Sequence, residues 1–263
     1  MVMSDLGRHP AAETQLTLLG SARDIDDTEL ATLYAYPADR QRPWVRANFI
    51  SSLDGGATAA GRSGGLAGPG DRAIFKLLRT LADVVVVGAG TVRIENYGGV
   101  QLSVPERQQR QTRGQSEVPR LAIVTKSGRL DREMPVFTRT EVPPLVLTCA
   151  AAVGEARRQL AGVAEVVDCS GDDPERVDEV AVLAAVTAGG QHHVLTEGGP
   201  TLLASLIDRE LLDELCLTIA PCVVGGQARR IATGPGQVLT GMRCVHLLSD
   251  DAGYLYTRYV KGE

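Results

Sequence analysis

Strand-like runs alternate with amphipathic helical segments along most of this chain, and the alternation stops in its last third. Runs rich in valine, leucine and isoleucine, such as 83–87 and 120–125, are separated by helical patterns such as 71–81. From residue 213 onwards, strand-like runs follow one another with only glycine-marked turns between them. Strands joined by helices pair parallel, whereas consecutive strands pair antiparallel. The sequence therefore predicts an α/β domain with a mixed, mainly parallel sheet flanked by helices, and antiparallel C-terminal strands.

We assign residues 43–263 to one domain and predict that the weakly patterned residues 1–42 form an extension on its surface. Residues 51–70 are rich in glycine and predict a long flexible loop, of the kind that is usually functional. Residues 101–119 are polar and predict a loop or a partly disordered segment. The predicted strands are 44–50, 83–87, 120–125, 144–148, 164–168, 193–196, 213–220, 242–248 and 254–260. The predicted helices include 71–81, 151–161 and 174–188.

Composition and charge narrow the functional classes. The net charge of −5 disfavours a general binder of nucleic acid or membrane surfaces, because both need a basic face. No apolar run approaches the roughly 20 residues of a membrane span, and the N-terminus lacks the apolar core of a secretory signal. The five cysteines form no C-x-x-C pair and indicate reduced thiols in a cytoplasmic protein. His192 and His193 would point to opposite faces of a strand, so we expect no metal site.

Two glycine-rich junctions carry the main functional signal. Each follows a hydrophobic strand and opens a helix, with the sequences VVVVGAGTVR at 84–93 and VLTEGGPTLLASLI at 194–207. Glycines allow close approach of a ligand, and the free N–H groups of a first helical turn attract anions. A dinucleotide pyrophosphate is the natural ligand at such junctions in open α/β sheets. Neither junction matches G-x-G-x-x-G or a P-loop, so a tight turn without a ligand stays the alternative for each one alone.

Three charged residues are candidates for contacts with a substrate. Asp71 lies at the predicted start of a helix, where it either caps the helix or accepts paired hydrogen bonds from an amidine-like edge such as that of a pterin. Arg79, on the same helix, is either a surface side chain or a ligand contact. Glu197 ends a buried-type strand, where acids are rare, and either binds a ligand or accepts hydrogen bonds from backbone N–H groups.

Four separated blocks of the sequence resemble one known family. The blocks are FISSLDG (49–55), LLRTLADVVVVGAGTV (77–92), LTEGGPTLLASLID (195–208) and DELCLTIAPCVVGG (213–226). In this order they resemble the RibD C-terminal reductase family of riboflavin biosynthesis, across residues 43–260. That family shares its fold with dihydrofolate reductase. The resemblance implies a mixed sheet flanked by helices, NADPH as cofactor, a small-molecule substrate and a homodimer.

The resemblance also implies roles for individual residues. The implied cofactor contacts are Ile50, Ser51, Gly88, Ala89, Gly90, Thr91, Glu95, Thr125, Lys126, Ser127, Gly198, Gly199, Pro200, Thr201, Leu202 and Leu203. Among them, Thr125, Lys126 and Ser127 would receive the adenosine 2′-phosphate. The implied substrate contacts are Ser63, Asp71, Arg79 and Glu197. Asp71 is also the catalytic candidate, because dihydrofolate reductases place their pterin-reading carboxylate on the corresponding helix.

The chain departs from the family pattern in the substrate region. Ser63 is followed by Gly64 and Gly65 where the riboflavin enzyme has Ser-x-Trp, and YGGVQLSV (97–104) lacks a substrate arginine of the family. The deaminase signature H-x-E…P-C-x-x-C does not occur, so we expect a member without the deaminase domain. Three functions stay open. They are NADPH-dependent reduction of a C=N bond in a pyrimidine (5-amino-6-ribosylaminouracil phosphate), the same chemistry on dihydrofolate, and NADPH binding without turnover.

Overall fold

The computed structural model describes residues 23–38 and 42–262. Of the predicted surface extension 1–42, residues 1–22 and 39–41 lie outside the described residues. The chain divides into two compact units, Met1–Leu33 and Tyr34–Glu263. In its described part, the first unit contains one helix, α1 (Asp27–Leu33), none of whose residues is buried. The second unit contains all of the strands described below.

Two tyrosines ahead of the first strand pack inside the second unit. Tyr34 is only 1% exposed, and Tyr36 stacks on His193 with 4.4 Å between the ring centroids. The compact unit therefore begins ahead of residue 43, the boundary that the sequence predicts. No periodic run surrounds these aromatic residues, so the hydrophobic pattern did not indicate their burial.

One mixed sheet forms the framework of the second unit. Its strands are β1 (Trp44–Ser52), β2 (Val84–Gly88), β3 (Arg120–Val124), β4 (Leu145–Thr148), β5 (Glu165–Asp168), β6 (His193–Thr196), β7 (Glu214–Ala220), β8 (Met242–Ser249) and β9 (Leu255–Lys261). Their order in the sheet is β5-β4-β3-β2-β6-β1-β7-β9-β8. The strands from β5 across to β7 pair parallel, whereas β9 and β8 pair antiparallel. The predicted fold class is confirmed, and each strand lies within two residues of its predicted bounds.

Helices connect the parallel strands. They are α2 (Pro69–Leu81), α3 (Ala89–Ile94), α4 (Val104–Thr112), α5 (Pro135–Thr138), α6 (Ala150–Gln159), α7 (Glu179–Thr187) and α8 (Pro200–Asp208). Val84 and Val86 of β2 share a buried hydrophobic cluster with Leu203 of α8. Helix α7 begins later than predicted because Asp178 caps it, accepting a hydrogen bond from the Ala181 N–H at 2.9 Å. No helix in the described residues is long and apolar enough to cross a membrane.

The prediction of a loop at 101–119 is wrong, because this segment contains α4. At its start, Glu106 accepts a hydrogen bond from the Ser103 N–H at 2.6 Å, which caps the first turn. Arg110 is the buried residue of this helix, and its Nη1 donates to the Thr80 carbonyl of α2 at 3.0 Å. A helix that buries an arginine instead of an apolar stripe shows no hydrophobic periodicity, so its sequence resembles that of a loop.

A buried charge cluster lies at the amino edge of the parallel strands. Arg46 of β1 and Glu214 of β7 are both fully buried, with 2.7 Å between Nε and Oε1. Arg258 Nε donates to Oε1 at 2.7 Å, and Trp44 Nε1 donates to Oε2 at 2.6 Å. Burial raises the pKa of Glu214, but the two arginines outweigh it and hold this pKa below its ordinary value. The cluster joins β1, β7 and β9 at the edge opposite the site described next.

Candidate active site

The two predicted glycine junctions meet at the carboxyl edge of the parallel strands. β2 and β6 are neighbours in the sheet, and the Gly88 N–H donates to the Gly198 carbonyl at 2.6 Å. The chain leaves β2 towards β3 on one side, and it leaves β6 towards β7 on the other. Open α/β sheets bind their ligands at such a point, where successive strands diverge.

Gly199 lies at the centre of this junction, where an added side chain would force a neighbour to move. A Cβ atom at this position would lie 2.6 Å from Thr91 Oγ1. Its neighbour Gly198 has a φ of +95°, a conformation that favours glycine. Gly199 precedes α8 without a side-chain cap, so the first N–H groups of that helix stay available to an anion. The junction fits the pyrophosphate of a dinucleotide.

A cavity of about 1010 Å³ adjoins the glycine junction. This volume suits a small-molecule site, since such pockets span roughly 300–1,000 Å³. The predicted residues that line it are Ile50, Ser63, Asp71, Thr91, Glu95, Glu197, Gly199 and Pro200. The cavity thus brings predicted cofactor contacts and predicted substrate contacts to one place. In the part of the chain that the structure describes, no cluster of three or more possible metal ligands is found.

Other predicted cofactor contacts lie in the turns or the core beside the cavity. Leu202 and Leu203 pack in the hydrophobic core, so only their main-chain atoms are available to a ligand. Ser51 is buried on β1, next to Ile50, which lines the cavity. The remaining predicted residues around the junction are Gly88, Ala89, Gly90, Gly198 and Thr201, and they form the ends of β2 and β6 and the first turns of α3 and α8.

The predicted 2′-phosphate residues follow β3 at the same edge of the sheet. The side chains of Lys126 and Ser127 are exposed, whereas Thr125 is buried. The Thr125 N–H donates to the Leu147 carbonyl at 3.0 Å, which fixes the start of this loop. β3 is the neighbour of β2, so the three residues lie one strand away from the glycine junction.

Arg79 and Glu197, both predicted to contact substrate, bind each other. Arg79 Nε donates to Glu197 Oε1 and Arg79 Nη2 donates to Oε2, each at 2.7 Å. The Tyr97 hydroxyl also donates to Oε2, at 3.0 Å. Arg79 is therefore not a surface side chain, and side chains rather than backbone N–H groups satisfy Glu197. Burial lowers the pKa of Arg79, but the Glu197 carboxylate outweighs this effect and raises the pKa above its ordinary value, so the guanidinium stays charged.

Asp71 is the third residue of α2 and lines the cavity. The N-cap of this helix is Gly68 and Asp71 lies in its first turn. The interpretation of Asp71 as the helix cap is therefore wrong. Burial raises the pKa of Asp71, and a hydrogen bond from the Thr218 side chain opposes that rise. A partly buried carboxylate held by one hydroxyl keeps acceptor positions for the donors of a ligand.

The glycine-rich loop that precedes α2 is tied down by two acidic residues. Glu95 Oε1 accepts hydrogen bonds from the Ser63 N–H at 2.7 Å and from the Ser63 hydroxyl at 2.9 Å. Asp54 accepts from the Gly225 N–H at 2.7 Å, which joins the loop to the segment after β7. Hydrogen bonds from the Ser52 hydroxyl and from Gly225 hold the pKa of Asp54 at about 2. These bonds join the loop to the residue that follows α3 and to the segment after β7.

Two arginines that the sequence analysis did not single out also line the cavity. Arg72 lies on α2 beside Asp71, and Arg229 lies between β7 and β8. Both are exposed, and the Arg229 carbonyl accepts a hydrogen bond from the Ala57 N–H at 2.7 Å. Arg72 is an exposed position of a helix and Arg229 lies in an irregular segment, and neither place carries a sequence pattern that separates an arginine from ordinary surface residues.

Residues 43–256 match the model of the RibD C-terminal domain. The chain belongs to the RibD C-terminal domain family. It is similar to the 2,5-diamino-6-ribosylamino-4(3H)-pyrimidinone 5′-phosphate reductase of Archaeoglobus fulgidus, with 31% identity over 71% of this chain and 84% of the relative. The reductase of the same name from Methanothermobacter thermautotrophicus is 30% identical over 74% of this chain and 86% of the relative.

Solved structures agree with this membership. A pyrimidine reductase-like protein from Corynebacterium diphtheriae superposes with a TM-score of 0.76 at 29% identity, covering 84% of this chain and 92% of that one. The Saccharomyces cerevisiae riboflavin biosynthesis reductase Rib7 superposes with a TM-score of 0.65 at 16% identity, covering 89% and 98%, and supports the fold alone. Membership of the RibD C-terminal domain family, which is a reductase family, implies a reducing nucleotide cofactor.

Proposed function

We propose that this protein is an NADPH-dependent reductase that reduces a C=N bond in a ribosylaminopyrimidine 5′-phosphate. The observation that carries the proposal is one cavity lined by the glycine junction at Gly199 and by the carboxylates of Asp71 and Glu197. When bound, NADPH would supply the hydride for the reduction. The contribution of the chain is to hold both ligands face to face and to exclude water, and such positioning supplies much of an enzyme's rate enhancement.

The residues that would hold NADPH follow from this arrangement. Main-chain N–H groups at the start of α8 would bind the pyrophosphate beside Gly199, where an added Cβ atom would press on Thr91. Thr91 lines the same place and would add a hydroxyl. Lys126 and Ser127 would bind the 2′-phosphate, because both are exposed polar groups at the adjoining strand end.

Lys126→Ala is expected to remove most of the preference for NADPH over NADH. A charge-assisted bond to phosphate is worth about 1.5–3 kcal/mol, so NADPH affinity should fall roughly tenfold or more while NADH affinity stays the same. Titration of each cofactor, followed by protein fluorescence, measures the two affinities. Arg132→Ala, which removes an exposed cation further along the same connection, is the matched control and should change neither affinity. Equal affinity of the parent protein for the two cofactors would contradict the assignment.

The pyrimidine would be recognised by Asp71 and by the cavity arginines. A 2-amino group and its neighbouring N3–H form an amidine-like edge, which a carboxylate accepts through two hydrogen bonds. Arg72 and Arg229 are the exposed cations on the cavity wall and would serve the substrate phosphate in place of the missing family arginine. Tyr97 and Phe75 also line the cavity, so aromatic side chains are present although the family tryptophan is not.

Dihydrofolate is the second candidate substrate, because Asp71 lines the cavity and its carboxylate would also accept the hydrogen bonds of a dihydropterin. Dihydropterin presents the same amidine-like edge as the 2-aminopyrimidine, without a ribose phosphate. The discriminating experiment measures steady-state NADPH oxidation with three substrates side by side. They are dihydrofolate, 2,5-diamino-6-ribosylamino-4(3H)-pyrimidinone 5′-phosphate (the 2,5-diaminopyrimidinone phosphate) and 5-amino-6-ribosylaminouracil phosphate (the 5-aminouracil phosphate). Turnover of a pyrimidine phosphate supports the proposal. Turnover of dihydrofolate alone supports the second candidate, and tight NADPH binding without turnover supports a non-catalytic protein.

Asp71→Asn is expected to lower kcat/KM at least roughly tenfold for any substrate that carries the 2-amino edge, because an amide accepts fewer hydrogen bonds and brings donors of its own. The 5-aminouracil phosphate lacks the 2-amino group and should be affected less. NADPH affinity, measured by titration, should stay within about twofold of the parent value, since Asp71 belongs to the substrate part of the cavity. Full activity of the variant on the 2-amino substrates would exclude this role.

We also propose a homodimer, as the family resemblance implies. Exposed apolar side chains on β8, the edge strand, and in the segment just before it support association. They include Leu239 at 92%, Val238 at 43%, Val245 at 42% and Leu247 at 41% exposure. Edge strands with such residues are usually covered in soluble proteins. A monomer in sedimentation velocity at micromolar concentration would contradict the proposal.

A further inference from the structure

Tyr97 was not singled out by its sequence context, yet it contacts both predicted substrate residues. It follows α3, and its N–H donates to the Val92 carbonyl at 3.1 Å, which fixes the backbone at this point. Its hydroxyl donates to Glu197, and its ring lies against Arg79, with 5.4 Å from the guanidinium carbon to the ring centroid. Phe75 packs against the same guanidinium at 4.2 Å, so two aromatic rings contact Arg79.

The acceptor capacity of Glu197 is nearly filled by these neighbours. A carboxylate offers about four acceptor positions, two on each oxygen. Among the described residues, Oε2 accepts from Arg79 Nη2 and from Tyr97, whereas Oε1 accepts only from Arg79 Nε. The Glu197 side chain is 1% exposed and lines the cavity. One acceptor position therefore stays open, on Oε1, for a donor of the substrate.

We propose that Tyr97 is a positioning and specificity-determining residue, which fills Oε2 of Glu197 so that this carboxylate offers the substrate a single acceptor at Oε1. The matching substrate group is one hydroxyl or amine that donates a hydrogen bond. This inference rests on the proposed reductase function. Burial and the Glu197 carboxylate raise the pKa of Tyr97 well above its ordinary value, so its hydroxyl keeps the proton that it donates.

Tyr97→Phe tests the inference, since it removes the hydroxyl and keeps the ring against Arg79. Without that donor Glu197 is still held by Arg79, but Oε2 gains an open acceptor position that competes with Oε1 for the substrate donor. We expect the Kd of the 2,5-diaminopyrimidinone phosphate for the complex with NADP⁺, measured by calorimetry without turnover, to rise roughly tenfold. KM should rise by a similar factor, while kcat and the NADPH affinity change less than about twofold.

Two further variants separate this role from packing alone. Tyr97→Leu removes the ring as well and should weaken substrate binding more than Tyr97→Phe. Tyr36→Phe removes a buried hydroxyl outside the cavity and should leave Kd and KM unchanged. Parent-like substrate binding by Tyr97→Phe would overturn the inference, because a residue that only packs is replaced well by phenylalanine. Failure of the parent protein to bind any ribosylaminopyrimidine phosphate, with NADPH binding intact, would instead overturn the proposed function and this inference together.

Discussion

Gly199→Val is expected to weaken NADPH binding at least roughly a hundredfold while the protein keeps its secondary structure. A Cβ atom at residue 199 would lie 2.6 Å from Thr91 Oγ1, so one of the two residues has to move. The branched methyl groups would also occupy the space before the first N–H groups of α8, where a phosphate approaches. Titration with NADPH, together with far-ultraviolet circular dichroism, measures both properties.

The matched control is Gly154→Val on α6, where the nearest atom to an added Cβ is Arg158 Nη1 at 4.0 Å. This variant introduces the same side chain at an open position and should bind NADPH like the parent. Gly199→Ala should give an intermediate loss, because it adds the close Cβ atom without the branch. A folded Gly199→Val protein with parent-like affinity would place the cofactor elsewhere in the molecule.

Glu214→Gln is expected to lower the free energy of unfolding by about 3–5 kcal/mol, the usual cost of leaving buried charge without its partner. Glu214 is the carboxylate between Arg46 and Arg258, and glutamine would leave both cations uncompensated in the interior. For a domain of this size the loss corresponds to a decrease in Tm on the order of 10 °C. Urea denaturation and calorimetry measure the change.

The control for this prediction is Glu141→Gln. Glu141 pairs with Arg107 at the surface, with its side chain 52% exposed, so its loss should cost less than about 1 kcal/mol. The pH dependence gives a second test, because the pKa of Glu214 is lower in the folded protein than its ordinary value of 4.5. The advantage of the parent over Glu214→Gln is therefore complete well above pH 4.5 and shrinks as the pH falls below that value. Equal costs for the two variants would contradict the importance of the buried cluster.

Much of the fold could be predicted because its strands are hydrophobic and its turns carry glycine. All of the parallel strands and the antiparallel C-terminal pair follow from periodicity alone, as at Val84–Gly88. The two glycine junctions were also predicted, since close backbone approach demands glycine at residues such as Gly199. Asp71 and Glu197 were candidates from their positions at a helix start and a strand end, the family resemblance implied substrate contacts for both, and the structure places both of them at one cavity.

The features that were missed depend on polar groups whose partners are distant in sequence. Arg110 gives α4 a buried face without apolar residues, and Arg46 neutralises a carboxylate on another strand. Tyr97 meets Glu197 across 100 positions of sequence, so no local pattern relates the two residues. Pairings of this kind depend on the sheet order, which brings the ends of non-consecutive strands together, and periodicity does not encode that order.

The place of β1 in the sheet also has a consequence for how the chain acquires its structure. β1 is made before both of its neighbours in the sheet, β6 and β7, and its residue Arg46 meets Glu214 across 168 positions. Until β6 has been made, this central strand has two unpaired edges, and until β7 follows it has one; unpaired edges are templates for aggregation. Contacts that close such long stretches of chain form slowly. The nascent protein is therefore expected to depend on protection by chaperones until β7 is in place, and ligand binding has to wait longer still, because residues after β7, such as Arg229, line the cavity.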